Sequence, residues 1–115
     1  MIEMPTAEAL QRYLSLTTQQ MKLTASNMAN IDTPEYRTQG FDFQAEFARG
    51  LDAHQVSPVQ VADVAGLISR PDGNNVSIDR ESMTMAQSQL QFRTAVELLR
   101  HQYTQMMDAI KSDGK

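Results

Sequence analysis

Pro34 decides how far the first helix of this chain can run. It sits in Ala25-Ser26-Asn27-Met28-Ala29-Asn30-Ile31-Asp32-Thr33-Pro34-Glu35-Tyr36-Arg37, at the end of a long helical pattern. Proline has no backbone N–H and disfavours the α conformation at the preceding residue, so the helix must end at or before Thr33. Asn30 and Asp32 carry short side chains that bond the local backbone and tolerate the turn that follows. The stretch holds no nucleophile with a base beside it and no metal-ligand spacing. It reads as a helix C-terminus and a turn.

Upstream, Thr6 is the expected N-cap and Glu8 sits in the first turn near the positive end of the helix dipole. Leu10, Leu14, Thr17, Met21, Ala25 and Met28 follow at alternating spacings of four and three, a coiled-coil-like stripe weakened by Thr17. Tyr13, Leu16, Leu23 and Ile31 lie outside it. The helix is expected from Thr6 to Asn30, about 37 Å long. Between Ala9 and Ile31 the only charges are Arg12 and Lys22; the remaining polar positions are Gln, Ser, Thr and Asn. Uncharged polar side chains cost less to desolvate than charges, so such a face can be buried against a neighbour.

The second long helix is expected from Asp79, its N-cap, to Lys111, about 48 Å, with Glu81 in the first turn and Gly114 beyond the end. Met83, Ala86 and Leu90 form one stripe; Phe92, Val96, Leu99, Tyr103, Met106 and Ile110 form a later one, offset from the first. Its first half is again polar without charge: Ser82, Thr84, Gln87, Ser88, Gln89, Gln91 and Thr94. Both helices are more than twice the ~11–12-residue average. A lone pair of such helices buries little of its apolar surface, which favours an assembly. Different faces presented to neighbours give heterologous contacts that propagate as a helical polymer.

Between them the regular pattern is lost. Asp42 can cap a short helix in which Phe43 and Phe47 pair at i, i+4, ending near Gly50. Residues 53–61 read as a loop. Pro71-Asp72-Gly73 is a turn signal, and Val76 and Ile78 after it are expected to form one side of a small hairpin. A segment this long with so little pattern is functional, or ordered only by a partner.

The 115 residues allow one domain. The net charge of −4 argues against nucleic acid as a partner, since phosphate backbones need a basic patch. Without cysteine there is no disulfide, thiolate chemistry or cysteine-based metal site. Met1 to Thr6 has neither the basic nor the apolar region of a cleavable secretory signal, and no run approaches the ~18 apolar residues of a membrane span. His54 and His101 have no Cys or His at metal spacing and read as surface residues. Asp72-Gly73-Asn74-Asn75 lacks the residue order of a calcium loop, so it reads as a turn and helix cap. With little core to enclose a pocket, no cofactor is expected and an enzyme is not the expected class.

The hinge resembles the A-x-N-I-A-N-x-x-T-P-G-Y-[KR] signature of the axial proteins of the bacterial flagellum: rod, hook and hook-associated proteins. Asn27, Ala29, Asn30, Thr33, Pro34 and Tyr36 fall in register. Asp72-Gly73-Asn74-Asn75-Val76-Ser77-Ile78-Asp79-Arg80-Glu81 resembles the D-G-N-x-V-x-x-D-R-E run of the proximal rod branch, the FlgB type rather than the FlgC type. Together with their helices the two segments cover most of the chain.

The resemblance implies a structural subunit of the proximal rod of the flagellar basal body. Such a subunit is exported by the flagellar type III apparatus without a cleaved signal peptide and lies in the periplasm. It polymerises through its terminal helices to build the torque-transmitting shaft. The implied partners are other copies, rod proteins such as the FlgC type, and the FliE-type adaptor that links rod to membrane ring. Phe43 and Phe47 fit a loose export-gate element, and equally fit simple helix packing. Two departures stand out. Glu35 occupies the usual glycine position, which a type I turn would tolerate and a positive φ would strain, and the middle is short for the family.

The expected fold is mainly α. It pairs two long terminal helices as an antiparallel coiled-coil-like unit, with an irregular middle that holds a short helix and a small β-hairpin. The expected divisions are an N-terminal rod helix over 1–34, a connector over 35–78 and a C-terminal rod helix over 79–115, the helices forming one structural domain. The expected subunit-interface residues are Leu10, Leu14, Met21, Met28, Leu90, Val96, Leu99, Tyr103, Met106 and Ile110. The alternative function is a helical adaptor or chaperone of a type III secretion system, which would share the stripes without needing Asn30, Thr33 and Pro34.

Overall fold

The computed structural model describes residues 6–53 and 58–113, so His54 lies outside the described residues. Helix α1 spans Ala7–Ala29, and the Thr6 hydroxyl caps it by accepting from the Ala9 N–H at 3.0 Å. Strand β1 is Gln39–Gly40, helix α2 is Phe43–Ala53, strand β2 is Ala62–Asp63 and helix α3 is Ile78–Asp113. The molecule is a rod-like body of 70 × 26 × 23 Å. As expected, it is mainly helical, with α1 and α3 packed together and a short helix and a two-stranded sheet between them. The pair is antiparallel: Asn27 near the end of α1 bonds Glu81 near the start of α3, while Ala7 and Gln11 share a groove with Gln102 and Tyr103.

Three local expectations are corrected. The N-cap of α3 is Ser77, not Asp79: the Arg80 N–H donates to Ser77 Oγ at 3.3 Å and the Glu81 N–H to the Ser77 carbonyl at 2.9 Å. Serine caps as well as aspartate does, and it stands where the chain leaves its irregular run. Val76 and Ile78 form no hairpin side. Val76 is buried in the irregular run before α3, and Ile78 is the first residue of α3. The pairing is instead β1 with β2, antiparallel, with Gln39 opposite Asp63 and Gly40 opposite Ala62. Gly40 makes this approach possible, because a Cβ there would lie 2.8 Å from Val64 Cγ2. The helix ends also differ slightly: α2 continues past Gly50 to Ala53, and α3 past Lys111 to Asp113.

Helix α1 is the centre of the fold, packed by α3 on one side and by α2 and β1 on another. Toward α2, the Tyr13 ring meets Phe43 and Phe47 edge-on, at centroid distances of 5.1 and 5.9 Å. Arg12 donates to the Glu46 carbonyl at 2.7 Å. Asp42 caps α2 as expected, accepting from the Ala45 N–H.

Glu46 is buried, and its carboxyl is held below the usual value. The largest cause is the hydrogen bond from Arg49; burial opposes it, and the Gln60 N–H and the charges of Arg49 and Arg12 add to it. A depressed carboxyl stabilises above its unfolded value near 4.5, and that contribution is lost as the pH falls through the lower folded value. Acidification through this range is therefore expected to loosen α2 and the segment after it. In near-ultraviolet circular dichroism, the aromatic signal of the parent should fall as acidification carries the pH down from 4.5, and Glu46→Gln should flatten that dependence. An unchanged pH profile in Glu46→Gln would refute the assignment.

Candidate functional site

The hydrogen-bonding capacity of one asparagine joins four parts of the chain. Asn27, near the end of α1, is buried. Its amide Nδ2 donates to Glu81 Oε1 at 2.5 Å and to the Gln39 carbonyl at 2.9 Å. Its Oδ1 accepts from the Tyr36 hydroxyl at 2.9 Å and from the Gln39 N–H at 3.1 Å. Both donors and both lone pairs are thus used, which is what allows an amide to be buried without penalty. Glu81 is also buried, and its other oxygen pairs with Arg80.

The turn that follows α1 is built from the expected residues. Asn30 Nδ2 donates back to the Ser26 carbonyl at 2.8 Å, and the Thr33 hydroxyl donates to Asn30 Oδ1 at 3.0 Å. The Tyr36 N–H donates to the Thr33 carbonyl at 3.2 Å, closing a turn with Pro34 and Glu35 at its centre. Glu35 has φ of +63°. A positive φ at the third position is the type II arrangement, so the turn is not the type I that would have suited glutamate. The left-handed geometry is held from outside: the Glu35 N–H donates to the Asp72 carbonyl at 2.9 Å, and Gly73 lies so close that a Cβ on it would be 3.3 Å from Glu35 Cα. Replacement of Glu35 by Gly is expected to raise stability by about 0.5–1 kcal/mol, the left-handed strain relieved less the added chain entropy. Urea unfolding measures it; a loss of stability would mean that the Glu35 side chain contributes more than its backbone costs.

Asn74 and Asn75 complete the network from the far side. The Pro71-Asp72-Gly73 turn forms as expected, closed by the Gly73 N–H on the Arg70 carbonyl at 2.8 Å. It delivers buried Asn74, whose Nδ2 donates to the carbonyls of Asn30 at 2.9 Å and Thr33 at 2.8 Å. Both carbonyls lie just beyond the last residue of α1, and each also accepts a backbone N–H within the turn, from Thr33 and from Tyr36 respectively. Arg70 adds a bond to the Ile31 carbonyl. Asn75 Oδ1 accepts from the N–H and hydroxyl of buried Thr38, at 2.6 and 2.9 Å. Both ends of the connector are therefore tied to the helices by bonds within the chain, rather than left for a neighbour to order.

Of the signature residues, Asn27, Asn30, Thr33 and Tyr36 are joined by hydrogen bonds, Pro34 is the exposed second residue of the turn, and Ala29 closes α1 with its methyl exposed. Sequence reading missed Thr38, Asn74, Asn75 and the burial of Glu81. The available signal was the D-G-N-x-V-x-x-D-R-E run, whose Asn74, Val76 and Glu81 all prove buried.

The same network sets which helix faces meet. The buried positions of α1 toward α3 include Leu10, Thr17, Thr24 and Asn27; those of α3 are Glu81, Ser88 and Ala95, seven apart. This seam is small and polar. Thr17 donates to the Tyr13 carbonyl at 2.7 Å, and Thr24 Oγ1 accepts from Gln20 Nε2, so these hydroxyls are buried with partners.

The apolar stripes consequently lie outside the seam. Leu90 is 67% exposed, Tyr103 60%, Met106 55% and Ile110 60%. Leu14, Met21, Met28, Val96 and Leu99 are half-buried. Leu10, of the same expected set, is buried within the chain. Leu99, Tyr103 and Met106 line an open groove of about 390 Å³ with Ala7 and Gln11. His101 is exposed, and among the described residues no cluster of His, Cys, Asp and Glu could hold a metal ion. No helix among them is long and apolar enough to cross a membrane.

No protein-family model matches the chain. Curated relatives do. The flagellar basal body rod protein FlgB of Escherichia coli (strain K12) is 30% identical over 124 residues, covering 89% of this chain and 90% of that protein. FlgB of Cereibacter sphaeroides is 31% identical over 105 residues, covering 79% and 82%. FlgB of Borrelia hermsii is 26% identical over 124 residues, covering 87% and 91%. With that identity along nearly the whole of both chains, this chain belongs to the FlgB family of flagellar basal body rod proteins.

Proposed function

We propose that this chain is a structural subunit of the proximal rod of the flagellar basal body, not an enzyme, and that it polymerises through its terminal helices into the shaft that transmits torque. One observation carries the reading. The α1–α3 pair closes on a seam of Leu10, Thr17, Thr24 and Asn27 with Glu81, Ser88 and Ala95, while Leu90, Tyr103, Met106 and Ile110 are left outside. Tyr103, Met106 and Ile110, at spacings of three and four, make a face for packing against other helices, and Leu90 belongs to an earlier stripe offset from it.

On this reading the two helices act as one structural domain, and the turn network fixes the angle at which they are presented. The interface comprises Leu14, Met21, Met28, Leu90, Val96, Leu99, Tyr103, Met106 and Ile110. The neighbours are other copies, rod proteins such as the FlgC type and the FliE-type adaptor, after passage through the flagellar type III apparatus to the periplasm. Phe43 and Phe47 serve packing on Tyr13 in the folded chain; an export-gate role would operate before folding. The adaptor or chaperone alternative draws no support from the relatives, which are named as rod proteins.

Deletion of the gene is expected to arrest flagellar assembly with the membrane ring formed and no rod on it, seen in purified basal bodies by electron microscopy. Complete rods in the deletion strain would overturn the proposal.

A further inference from the structure

The chain contains eight methionines and no cysteine, so every oxidisable sulfur in it is a thioether. Six of the eight lie among the described residues, and they differ in exposure. Met21, Met28 and Met85 are half-buried. Met83 is 73% exposed, Met106 55% and Met107 37%. The exposed three are all on α3, on surface that its own chain does not cover, and Met106 belongs to the apolar groove with Leu99 and Tyr103. Oxidation of a thioether requires that the oxidant reach the sulfur, and the product is polar and chiral where the reactant was apolar and adaptable.

We propose that Met83, near the start of α3, and Met106 and Met107, near its end, are the positions at which peroxide-class oxidants decide whether a free copy of this chain can join an assembly; the second half of this statement rests on the assembly reading above. The sulfur lone pair attacks one peroxide oxygen, the O–O bond breaks and an S–O bond forms. Sulfur is oxidised by two electrons, and the peroxide leaves as water after the remaining oxygen takes up a proton. The sulfoxide then presents a strong hydrogen-bond acceptor where the contact would be dry, and an acceptor buried without a donor opposes the contact. Once a copy is assembled, the same three sulfurs are covered by neighbours and become slow to react. These positions thus distinguish free from incorporated copies, and a sulfoxide reductase would reset them.

The test uses the full chain, hydrogen peroxide and peptide mapping by mass spectrometry, with self-association followed in parallel by analytical ultracentrifugation. Sulfoxide is expected at Met83, Met106 and Met107 about fivefold or more sooner than at Met21, Met28 and Met85, in line with exposure. Self-association should weaken about tenfold on oxidation and return on treatment with both sulfoxide reductases. A chain carrying Met83→Leu, Met106→Leu and Met107→Leu, whatever its own affinity, should associate to the same extent before and after peroxide. Equal oxidation rates at all six described methionines would overturn the choice of positions, and an oxidised chain that associates like the reduced one would overturn the control. An untreated chain that stays monomeric at every concentration overturns the assembly reading instead, and the sulfoxide map then decides the positions alone.

Discussion

Asn27→Ala is expected to abolish independent folding of the chain, or to leave it with a small fraction of its stability. The substitution removes four hydrogen bonds, two to the Gln39 backbone, one to Tyr36 and one to Glu81. It strands a buried carboxylate whose remaining partner, Arg80, is itself partly exposed. Breaking a buried charged contact by removing one side costs about 3–5 kcal/mol, against the roughly 5–15 kcal/mol by which whole domains are stable. Asn27→Asp should be worse than the alanine change, because it brings a second carboxylate to within hydrogen-bond distance of Glu81. Urea unfolding followed by far-ultraviolet circular dichroism measures both. A double-mutant cycle with Glu81→Gln should return a coupling above about 1 kcal/mol. If Asn27→Ala unfolds within about 0.5 kcal/mol of the parent, the network does not hold the two helices together.

Leu90→Asp is expected to do the opposite: to leave the monomer intact and remove motility. Leu90 lies outside the α1–α3 seam, so the substitution should change the stability of the isolated chain by less than about 0.5 kcal/mol. In an assembly that covers the same face, an aspartate would be buried without a partner, at a cost of several kcal/mol per contact. Swimming in soft agar and the yield of rods on purified basal bodies report the effect, with the melting curve of the purified chain as the control. Motile cells carrying Leu90→Asp would place this face toward solvent. The two substitutions together separate folding from assembly, since one acts inside the pair and the other only on its outer surface.

The parts of this fold legible in the sequence were those that local chemistry determines. Pro34 stops α1, Thr6 and Asp42 cap helices, and Pro71-Asp72-Gly73 turns the chain, each through its own backbone. The lengths of α1 and α3 follow from helical periodicity, although the stripe of α3 shifts after Leu90. What periodicity could not reveal is which side of each helix the other helix covers. Hydrophobic patterning assumes an apolar interior, whereas here Leu10, Leu16, Val76 and Ala95 share the interior with Thr17, Thr24, Asn27, Glu81 and Ser88, and Leu90, Tyr103, Met106 and Ile110 lie outside. That arrangement depends on bonds between residues far apart in the chain, Asn27 with Glu81 and Asn74 with Asn30, which no local window contains. Glu35 teaches a related lesson. Its side chain argued for a turn without positive φ, yet the Asp72 carbonyl and the close approach of Gly73 hold it left-handed. Long-range contacts overruled local preference at that position.

The central claim is that the outward face of α3 is solvent-facing in the free chain and covered in the rod. The chain has no cysteine, so a single introduced thiol reports on its own surroundings. Tyr103→Cys and Ile110→Cys, seven residues apart, place a small apolar residue on that face, and a thiol-reactive maleimide reads its exposure. Both thiols are expected to label rapidly on the purified chain and to be protected at least about tenfold in basal bodies isolated from motile cells, as buried thiols are. Equal labelling in the free chain and in the basal body would contradict the account.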